Sequence, residues 1–193
     1  MKVTKAQAQA NRAHVVATAS TLFRERGYDG VGVADLMAAA GFTHGGFYKQ
    51  FRSKGDLMAE AAACGIAQTV ALSEGADIGQ FVRAYLSREH RDARASGCTM
   101  AALSGDAARQ PQAVRATFAA GIEDLLAALG APRAAPEDAE AARQRAEYLG
   151  VLAHAVGAIV MSRACPDDAP LADEILQVCR DGILASLEAP GAG

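Results

Sequence analysis

The sequence is poor in aromatic residues and shows no strand pattern. Aromatic side chains make up 5% of the 193 residues, whereas 51% of the residues are hydrophobic and alanine is abundant. A β-sandwich would need alternating Val, Ile, Thr and aromatic residues, while small apolar side chains favour closely packed helices. The length supports a sizeable core in one or two domains. We therefore expect an all-α protein of about nine helices.

Motifs that would indicate an enzyme or a metal site are also missing. The sequence has no G-x-S-x-G elbow, P-loop, H-E-x-x-H motif or paired-carboxylate arrangement. Its four cysteines, at positions 64, 98, 165 and 179, include no CxxC pair, so neither a zinc ribbon nor a thioredoxin-like motif is indicated. We expect no enzymatic activity, no metal and no cofactor.

Long apolar runs are lacking as well. The N-terminal stretch MKVTKAQAQANRAH has no apolar core of a signal peptide. The longest charge-free apolar run, residues 148–162, has fifteen residues, fewer than the ~20 that span a bilayer. We expect a cytoplasmic protein with reduced thiols and no membrane partner.

The net charge of −3 is unevenly distributed. Residues 1–55 carry eight Lys and Arg against three Asp and Glu, and the remaining residues carry eleven against nineteen. A basic N-terminal segment on an acidic body indicates a polyanionic partner for that segment alone. Ordinary solvent-exposed surfaces would give the same charge count. The interpretation of a polyanionic partner therefore needs support from a motif.

Apolar periodicity and helix-capping residues predict three short helices near the N-terminus. The first runs from about residue 11 to Arg26 and is ended by Gly27. The second covers about residues 33–40, with Asp35 in its first turn, where the helix dipole favours an acid. Thr43 is a candidate N-cap of the third. Ser53 is predicted to cap a fourth helix, which continues to about residue 72.

Two consecutive glycines, Gly45 and Gly46, fall in the first turn of the third predicted helix. Each costs a helix roughly 1 kcal/mol relative to Ala. Without a Cβ, they let the backbone approach a ligand or a phosphate chain closely. Because Phe47 and Phe51 share the inner face at i and i+4, the outer face holds His44, Gly45, Tyr48 and Lys49.

This pattern describes a helix-turn-helix unit, with the motif at about 32–51 inside a DNA-binding domain predicted for residues 1–56. The second helix of such a unit enters the major groove, and its N-terminal N–H groups suit phosphates. Lys54 lies in the first turn of the next helix, an unfavourable end for a cation. A bound phosphate would remove that conflict.

The segment LFRERGYDGVGVADLMAAAGFTHGGFYKQFRSKGDL, residues 22–57, resembles the DNA-binding domain of the TetR/AcrR family of bacterial repressors. The family pattern of Ala-Gly-x-Ser/Thr, Gly-x-x-Tyr-x-x-Phe and a following Lys is matched by Ala40, Gly41, Thr43, Gly45, Tyr48, Phe51 and Lys54. Two positions depart from it. The usual Thr that begins the second helix is Gly32, and the usual His before the final Phe is Gln50.

The resemblance implies a double-stranded DNA operator as partner. It implies that Tyr48 and Lys54 bind phosphates, and that Thr43, His44 and Lys49 face bases or backbone. The complete predicted DNA-binding set is Gly32, Val33, Thr43, His44, Gly45, Gly46, Tyr48, Lys49 and Lys54. The resemblance also implies that residues 57–193 form a helical ligand-binding and dimerisation domain, and that a small molecule releases a repressor from its operator.

Small residues form a stripe on the long helix whose start is predicted at Pro136, Glu137 and Asp138. Such a stripe permits close helix–helix approach and, with the last helix, suits a four-helix homodimer interface. A plain intrachain core is an equally open alternative for any one residue. The predicted interface residues are Gly150, Ala153, Gly157, Ile175, Val178 and Gly182, with Ile183 on the same helix.

The middle helices supply the candidates for an effector pocket, namely Phe81, Tyr85, Met100, Phe118, Ile122 and His154. Each of them is also a possible core residue, and a lone His among apolar residues is typical of a core histidine. Their composition suggests an apolar or aromatic small molecule. Cys98 and Cys165 fall in predicted loops near arginines, so a thiol sensor stays open beside the interpretation as inert cysteines.

Three alternatives to a DNA-binding regulator stay open. They are a helical small-molecule-binding protein, a thiol-sensing protein and an enzyme, none of them acting through DNA. The basic segment and the Gly45-Gly46-x-Tyr48 element favour the regulator.

Overall fold

The computed structural model describes residues 4–133 and 138–188, and every regular element in these ranges is a helix. The prediction of an all-α protein is confirmed. These residues form nine α-helices and one 3₁₀ helix, as follows: α1 (Lys5–Arg26), α2 (Val33–Ala39), the 3₁₀ helix (His44–Lys49), α3 (Lys54–Ser73), α4 (Ile78–Tyr85), α5 (Arg88–Asp92), α6 (Thr99–Ala107), α7 (Gln112–Ala128), α8 (Ala139–Ala164) and α9 (Pro170–Glu188). Within the same ranges, no helix has the length and apolar character needed to cross a membrane.

Helix α1 begins six residues earlier than predicted. Thr4 caps it, because its hydroxyl oxygen accepts a hydrogen bond from the Gln7 N–H at 3.1 Å. The first turns are polar and mostly exposed, so apolar periodicity could not reveal them. The predicted end is confirmed, since Gly27 adopts a φ of 74° and its N–H donates to the Phe23 carbonyl at 2.8 Å.

The third predicted helix is a six-residue 3₁₀ helix, and Thr43 makes no side-chain capping hydrogen bond. The N–H of Gly46 instead donates to the Thr43 carbonyl at 2.9 Å, a tight i to i+3 bond. Two successive glycines lower the helix propensity of this turn, which explains why it does not continue as an α-helix. Ser53 does cap α3, and its Oγ accepts from the Asp56 N–H at 3.1 Å.

A five-residue helix, α5, was not predicted. Its sequence REHRD has no apolar periodicity, and only the cap marks it: Ser87 Oγ accepts from the His90 N–H at 3.1 Å. The predicted start of the long helix at Pro136 and Glu137 lies outside the described residues. Asp138 is the N-cap of α8, accepting from the N–H groups of the next turn.

The chain divides into two compact units, Met1–Gln68 with Cys98–Gly121, and Thr69–Gly97 with Ile122–Gly193. The first unit is therefore longer than the domain predicted for residues 1–56. Its core contains buried residues of the predicted helix-turn-helix, such as Leu36 and Phe47, together with α6 and α7 residues such as Leu103 and Val114. Residues beyond position 98 thus complete the hydrophobic core of the N-terminal helices.

Buried polar groups join three helices of the first unit. Arg24, 7% exposed, donates from Nη1 to Ser20 Oγ at 2.9 Å and to Thr99 Oγ1 at 3.4 Å. Burial lowers the pKa of the Arg24 guanidinium. Gly65 on α3 makes room for this cluster, because a Cβ there would lie 2.3–2.7 Å from those three side chains.

The second unit is held by a buried arginine where α8 ends. Arg91 on α5 is 1% exposed. Its Nε donates to Ser162 Oγ at 3.0 Å, and its Nη1 donates to Asp167 Oδ1 at 2.9 Å. Ser162 Oγ in turn donates to the Ala172 carbonyl on α9 at 2.8 Å. The short helix α5 therefore fixes the connection between the two long C-terminal helices.

Replacing Gly65 with Ala tests the packing of the first unit. Since the new Cβ would overlap Thr99, Arg24 and Ser20, we expect the free energy of unfolding to fall by ~1–3 kcal/mol. Gly105→Ala is the control, because Gly105 is an exposed helical residue whose added Cβ would meet nothing within 4 Å. It should raise stability by ~0.5–1 kcal/mol. Urea unfolding measures both, and equal stability of the Gly65 variant and the wild type would contradict the packing argument.

Candidate nucleic-acid interface

A glycine reverses the chain between α2 and the 3₁₀ helix. Gly41 has a φ of +77°, in the left-handed region that other residues rarely adopt. The Phe42 N–H reaches back to the Met37 carbonyl at 2.8 Å, which closes the end of α2. The turn brings the 3₁₀ helix against α2, with Leu36 and Met37 buried beneath it.

The inner side of the 3₁₀ helix is aromatic and buried. Phe47 is 1% exposed and Phe51 is 3% exposed, and their stacked rings lie 5.4 Å apart. The guanidinium carbon of Arg12 lies 4.4 Å from the centre of the Phe51 ring. Burial of both rings fixes which residues of this segment face outward.

The predicted outer residues do lie together on one exposed face. His44, Gly45, Tyr48 and Lys49 are all exposed, and the His44 and Tyr48 rings meet edge-on at 5.9 Å between centres. Tyr48 is 65% exposed. We call these four residues the outer face.

The other predicted DNA-binding residues border this face or begin the adjacent helices. Thr43 and Gly32 are exposed, while Val33 and Gly46 are partly buried. Gly32 is the N-cap of α2 and has no side chain to offer a phosphate, and its N–H donates to Asp35 Oδ2 at 3.3 Å. The DNA-binding role of all nine predicted residues stays a prediction.

Among the residues that the structure describes, none packs against position 45 in a way that requires a glycine there. Neither Gly45 nor Gly46 has a positive φ. A Cβ at Gly45 would meet nothing within 4 Å, and one at Gly46 would make ordinary contacts with Met37 and Thr43 at 3.5 and 3.7 Å. A residue without a Cβ at this exposed position lets the backbone come close to another molecule.

Several basic residues of the N-terminal segment have partners within the protein. Arg12 forms a bidentate ion pair with Glu60, with its Nη2 2.6 Å from Glu60 Oε1, and this hydrogen bonding raises the pKa of the arginine. Arg24 is buried, and Lys54 contacts Tyr28. The bases left exposed are Lys5, Arg26, Lys49 and Arg52, while Lys2 lies outside the described residues.

Arg52 was not predicted as a site residue. It directly follows the buried Phe51 and is exposed, three positions beyond Lys49. An exposed base next to the last inward-facing aromatic was the available signal in the sequence. Lys49 and Arg52 therefore place two positive charges where the 3₁₀ helix ends and α3 begins.

Lys54 is half-buried and already has one partner. Its Nζ donates to the Tyr28 carbonyl at 2.5 Å and lies 5.9 Å from the centre of the Phe23 ring. An ammonium group has three N–H donors, so this bond leaves donors for a phosphate. The hydrogen bond to the Tyr28 carbonyl therefore partly offsets the unfavourable position of this cation at the N-terminus of α3.

The six predicted pocket residues are divided between the two units. Phe81 and Tyr85 are buried neighbours on α4, with ring centres 5.1 Å apart, and Ile122 is partly buried. Met100 and Phe118 are buried in the first unit. His154 is exposed on α8, so the expectation of a core histidine is wrong. The apolar residues around it in sequence belong to a helix with one exposed face.

The predicted interface residues lie mostly at the surface of α8 and α9. Gly150, Ala153 and Gly182 are exposed, and Gly157 is half-buried. A Cβ at any of these three glycines would meet nothing within 4 Å. Val178 is 63% exposed and Ile175 half-buried, whereas Ile183 is buried within the chain. Further large apolar side chains are exposed on the same two helices, namely Leu149, Val160, Met161 and Leu171.

The two cysteines considered as sensors differ in burial. Cys98 is 2% exposed and is the N-cap residue of α6. Cys165 is half-buried, with its Sγ 3.5 Å from the Met161 carbonyl oxygen. Within residues 4–133 and 138–188, no group of three or more His, Cys, Asp or Glu is placed to hold a metal ion.

Comparisons with known proteins identify the N-terminal segment. Residues 15–61 match the family described as bacterial regulatory proteins, tetR family, in agreement with the predicted resemblance. The HTH-type transcriptional regulator AcrR of Shigella flexneri is 37% identical over 57 residues, which cover 30% of this chain and 26% of AcrR. The match thus spans about a quarter of that relative.

Solved structures extend the similarity of fold to nearly the whole chain. Reduced E. coli NemR superimposes with a TM-score of 0.69 at 18% identity, over 90% of this chain and 95% of NemR. A TetR-family regulator from Agrobacterium tumefaciens gives a TM-score of 0.63 at 22% identity, over 93% of this chain and 98% of that chain. At such identities the likeness establishes the fold alone, with a helix-turn-helix at the N-terminus and helices throughout.

Gly45→Ala separates folding from binding at the outer face. The added methyl group meets open space, so stability should stay equal or rise by up to ~1 kcal/mol. On a surface in close contact with DNA, the same methyl group should weaken binding by ~1–3 kcal/mol. Thermal unfolding and fluorescence anisotropy with a duplex measure the two quantities. Gly105→Ala should show the stability gain without the binding loss, and unchanged affinity of the Gly45 variant would argue against close backbone approach.

Proposed function

We propose that this chain, whose N-terminal segment belongs to the tetR family of bacterial regulatory proteins, is a transcriptional repressor that a small molecule releases from its DNA operator. The observation that carries the proposal is the outer face. An exposed Tyr48, an exposed Lys49 and a glycine with no internal reason to be one lie together on the second element of a helix-turn-helix. This combination favours a DNA-binding protein over a binding protein that never contacts DNA.

We assign the contacts by the chemistry of each side chain. Tyr48 and Lys54 bind phosphate oxygens, and Arg52 adds a further charge to the same backbone. His44, Thr43 and Lys49 face base edges or the adjacent backbone, since the N-terminal residues of the second element enter the major groove. Phosphate contacts set affinity and register, while base contacts set sequence preference.

The exposed apolar surface of α8 and α9 supports a homodimer. Val178 and Met161 are 63% and 60% exposed, and Gly150, Gly157 and Gly182 leave space for close helix–helix approach. Two-fold pairing of these helices buries that surface against its own copy. A dimer also presents two outer faces to two half-sites about 34–36 Å apart, or somewhat more.

Release by an effector needs a ligand that favours the state that does not bind DNA. Helix α3 begins in the first unit and ends in the second, so it is the candidate transmitter. Buried aromatic residues such as Phe81 and Tyr85 on α4 suggest an apolar or aromatic effector. A coupling of ~1–3 kcal/mol would weaken operator binding ~5–150-fold. We propose no catalytic role for the chain.

The decisive experiment is selection of genomic DNA fragments by the purified protein, followed by footprinting of the enriched sequence. We expect a two-fold symmetric site and an affinity that falls steeply with salt. Absence of binding to any duplex at low salt would exclude the proposal and leave the small-molecule-binding, thiol-sensing and enzyme alternatives. The genes beside the selected site would narrow the effector, and operator affinity with and without it tests release.

Lys54→Ala tests the phosphate assignment. Loss of one phosphate contact per half-site should lower the slope of log affinity against log salt by ~0.9 per half-site, and weaken binding to all duplexes alike. Arg115→Ala is the control, because Arg115 is an exposed base on α7 of the same unit and should leave the slope unchanged. If Lys54→Ala lowers stability but keeps the wild-type slope, Lys54 serves only the Tyr28 carbonyl.

Gly157→Arg tests the dimer. A long charged side chain at this half-buried glycine should prevent α8 from pairing, because an unpaired buried charge is strongly unfavourable. We expect a folded monomer with poor operator affinity. Gln144→Arg, at an exposed polar position of α8, should leave the dimer intact. Sedimentation equilibrium measures the oligomeric state of each variant. A wild-type monomer at micromolar concentration would refute the assignment of the α8 and α9 surface as a dimer interface.

A further inference from the structure

We propose that Asp106 on α6 is a positioning residue for DNA binding, which sets the outer face through the turn between α1 and α2. Its Oδ2 accepts a hydrogen bond from the backbone N–H of Tyr28 at 3.1 Å, across 78 positions of sequence. Tyr28 itself is fully buried. The inference rests on the proposed DNA-binding function and gives a role to a residue far from the helix-turn-helix in sequence.

Charged side chains bond to both backbone polar groups of Tyr28. Asp106 accepts from its N–H, and Lys54 Nζ donates to its carbonyl at 2.5 Å. A buried peptide group without partners is strongly unfavourable, and hydrogen bonds to charged groups are stronger than neutral ones. The backbone at Tyr28 is therefore held from α6 on one side and from α3 on the other.

Gly27, at the end of α1, makes room for the hydrogen bond between Asp106 and the Tyr28 N–H. Its φ of +74° ends α1, and a Cβ at this position would lie 2.7 Å from Asp106 Oδ2. A glycine here thus gives the carboxylate room to reach the next N–H. Asp106 in turn comes from a helix anchored in the same core, since Leu103 and Ala107 are 1% and 3% exposed.

The turn leads directly to the DNA-binding elements. Buried Val31 and the N-cap Gly32 connect it to α2, and α2 packs against the 3₁₀ helix that carries the outer face. A shift of the Tyr28 backbone would therefore move the start of α2 and, with it, His44 and Tyr48. Asp106 also pairs with Arg109, whose Nη2 lies 2.8 Å from Oδ1, but that arginine is 67% exposed and such a pair contributes little.

The test compares four variants on the operator obtained by genomic selection: Asp106→Ala, Asp106→Asn, Asp106→Glu and Arg109→Ala. Asp106→Ala removes the acceptor and should weaken operator binding ~10-fold. The slope of affinity against salt should stay at the wild-type value, because no phosphate contact is lost. Asp106→Asn retains an acceptor oxygen of the same reach and should recover most of the affinity. Arg109→Ala removes only the surface ion pair and should bind as the wild type does.

Asp106→Glu keeps the charge but displaces the acceptor by one methylene group. It should bind the operator more weakly than Asp106→Asn. If the Ala variant does not fold, this order of the two affinities tests the positioning role of Asp106. Affinities are measured at a temperature where circular dichroism shows each compared variant fully folded. If wild-type protein binds the operator and folded Asp106→Ala or Asp106→Glu binds equally well, the role of Asp106 is refuted while the proposed function stands. If wild-type protein binds no duplex, the proposed function fails and the inference fails with it.

Discussion

The burial of two phenylalanines, Phe47 and Phe51, is the constraint on which the candidate interface depends. A six-residue 3₁₀ helix has little stability of its own, and two glycines lower it further. The stacked rings are buried in the core of the first unit, where the 3₁₀ helix packs against α2, and they leave the opposite side of the segment exposed. His44, Tyr48 and Lys49 lie together because the neighbouring aromatic side chains, Phe47 and Phe51, are buried. The outer face is thus a consequence of core packing rather than of local helix propensity.

Charge in the N-terminal segment serves two different purposes. Arg12 pairs with Glu60 and lies over Phe51, and Lys54 bonds the Tyr28 carbonyl. These bases stabilise the arrangement of α1, the 3₁₀ helix and α3. Lys49 and Arg52 stay exposed beside the outer face and keep their charge available to a polyanion. A count of charges in the sequence overstates the basic surface, because it cannot separate cations with partners from exposed ones.

Local signals in the sequence predicted much of the fold, and long-range packing explains most of what they missed. Gly27, Ser53 and the Phe47–Phe51 spacing were informative because each acts within one or two turns of helix. The polar start of α1 and the short α5 carry no apolar period, so only their caps mark them. No local pattern shows that Leu103 and Val114 complete the core of the N-terminal helices, or that His154 lies on an exposed face. Those facts depend on which helices meet.

Three glycines of the first unit, Gly65, Gly27 and Gly45, differ in a way that sequence alone cannot show. At Gly65 an added Cβ would overlap a buried arginine cluster, and at Gly27 it would overlap the carboxylate of Asp106. Contacts inside the protein leave no room for a Cβ at either position, and at Gly27 the φ of +74° also favours glycine. At Gly45 the same Cβ would project into open space from a backbone with an ordinary φ. Internal packing therefore leaves room for a Cβ at position 45, and the glycine there lowers local stability while it leaves the backbone of the 3₁₀ helix open to close approach from outside, as the proposed DNA contact requires.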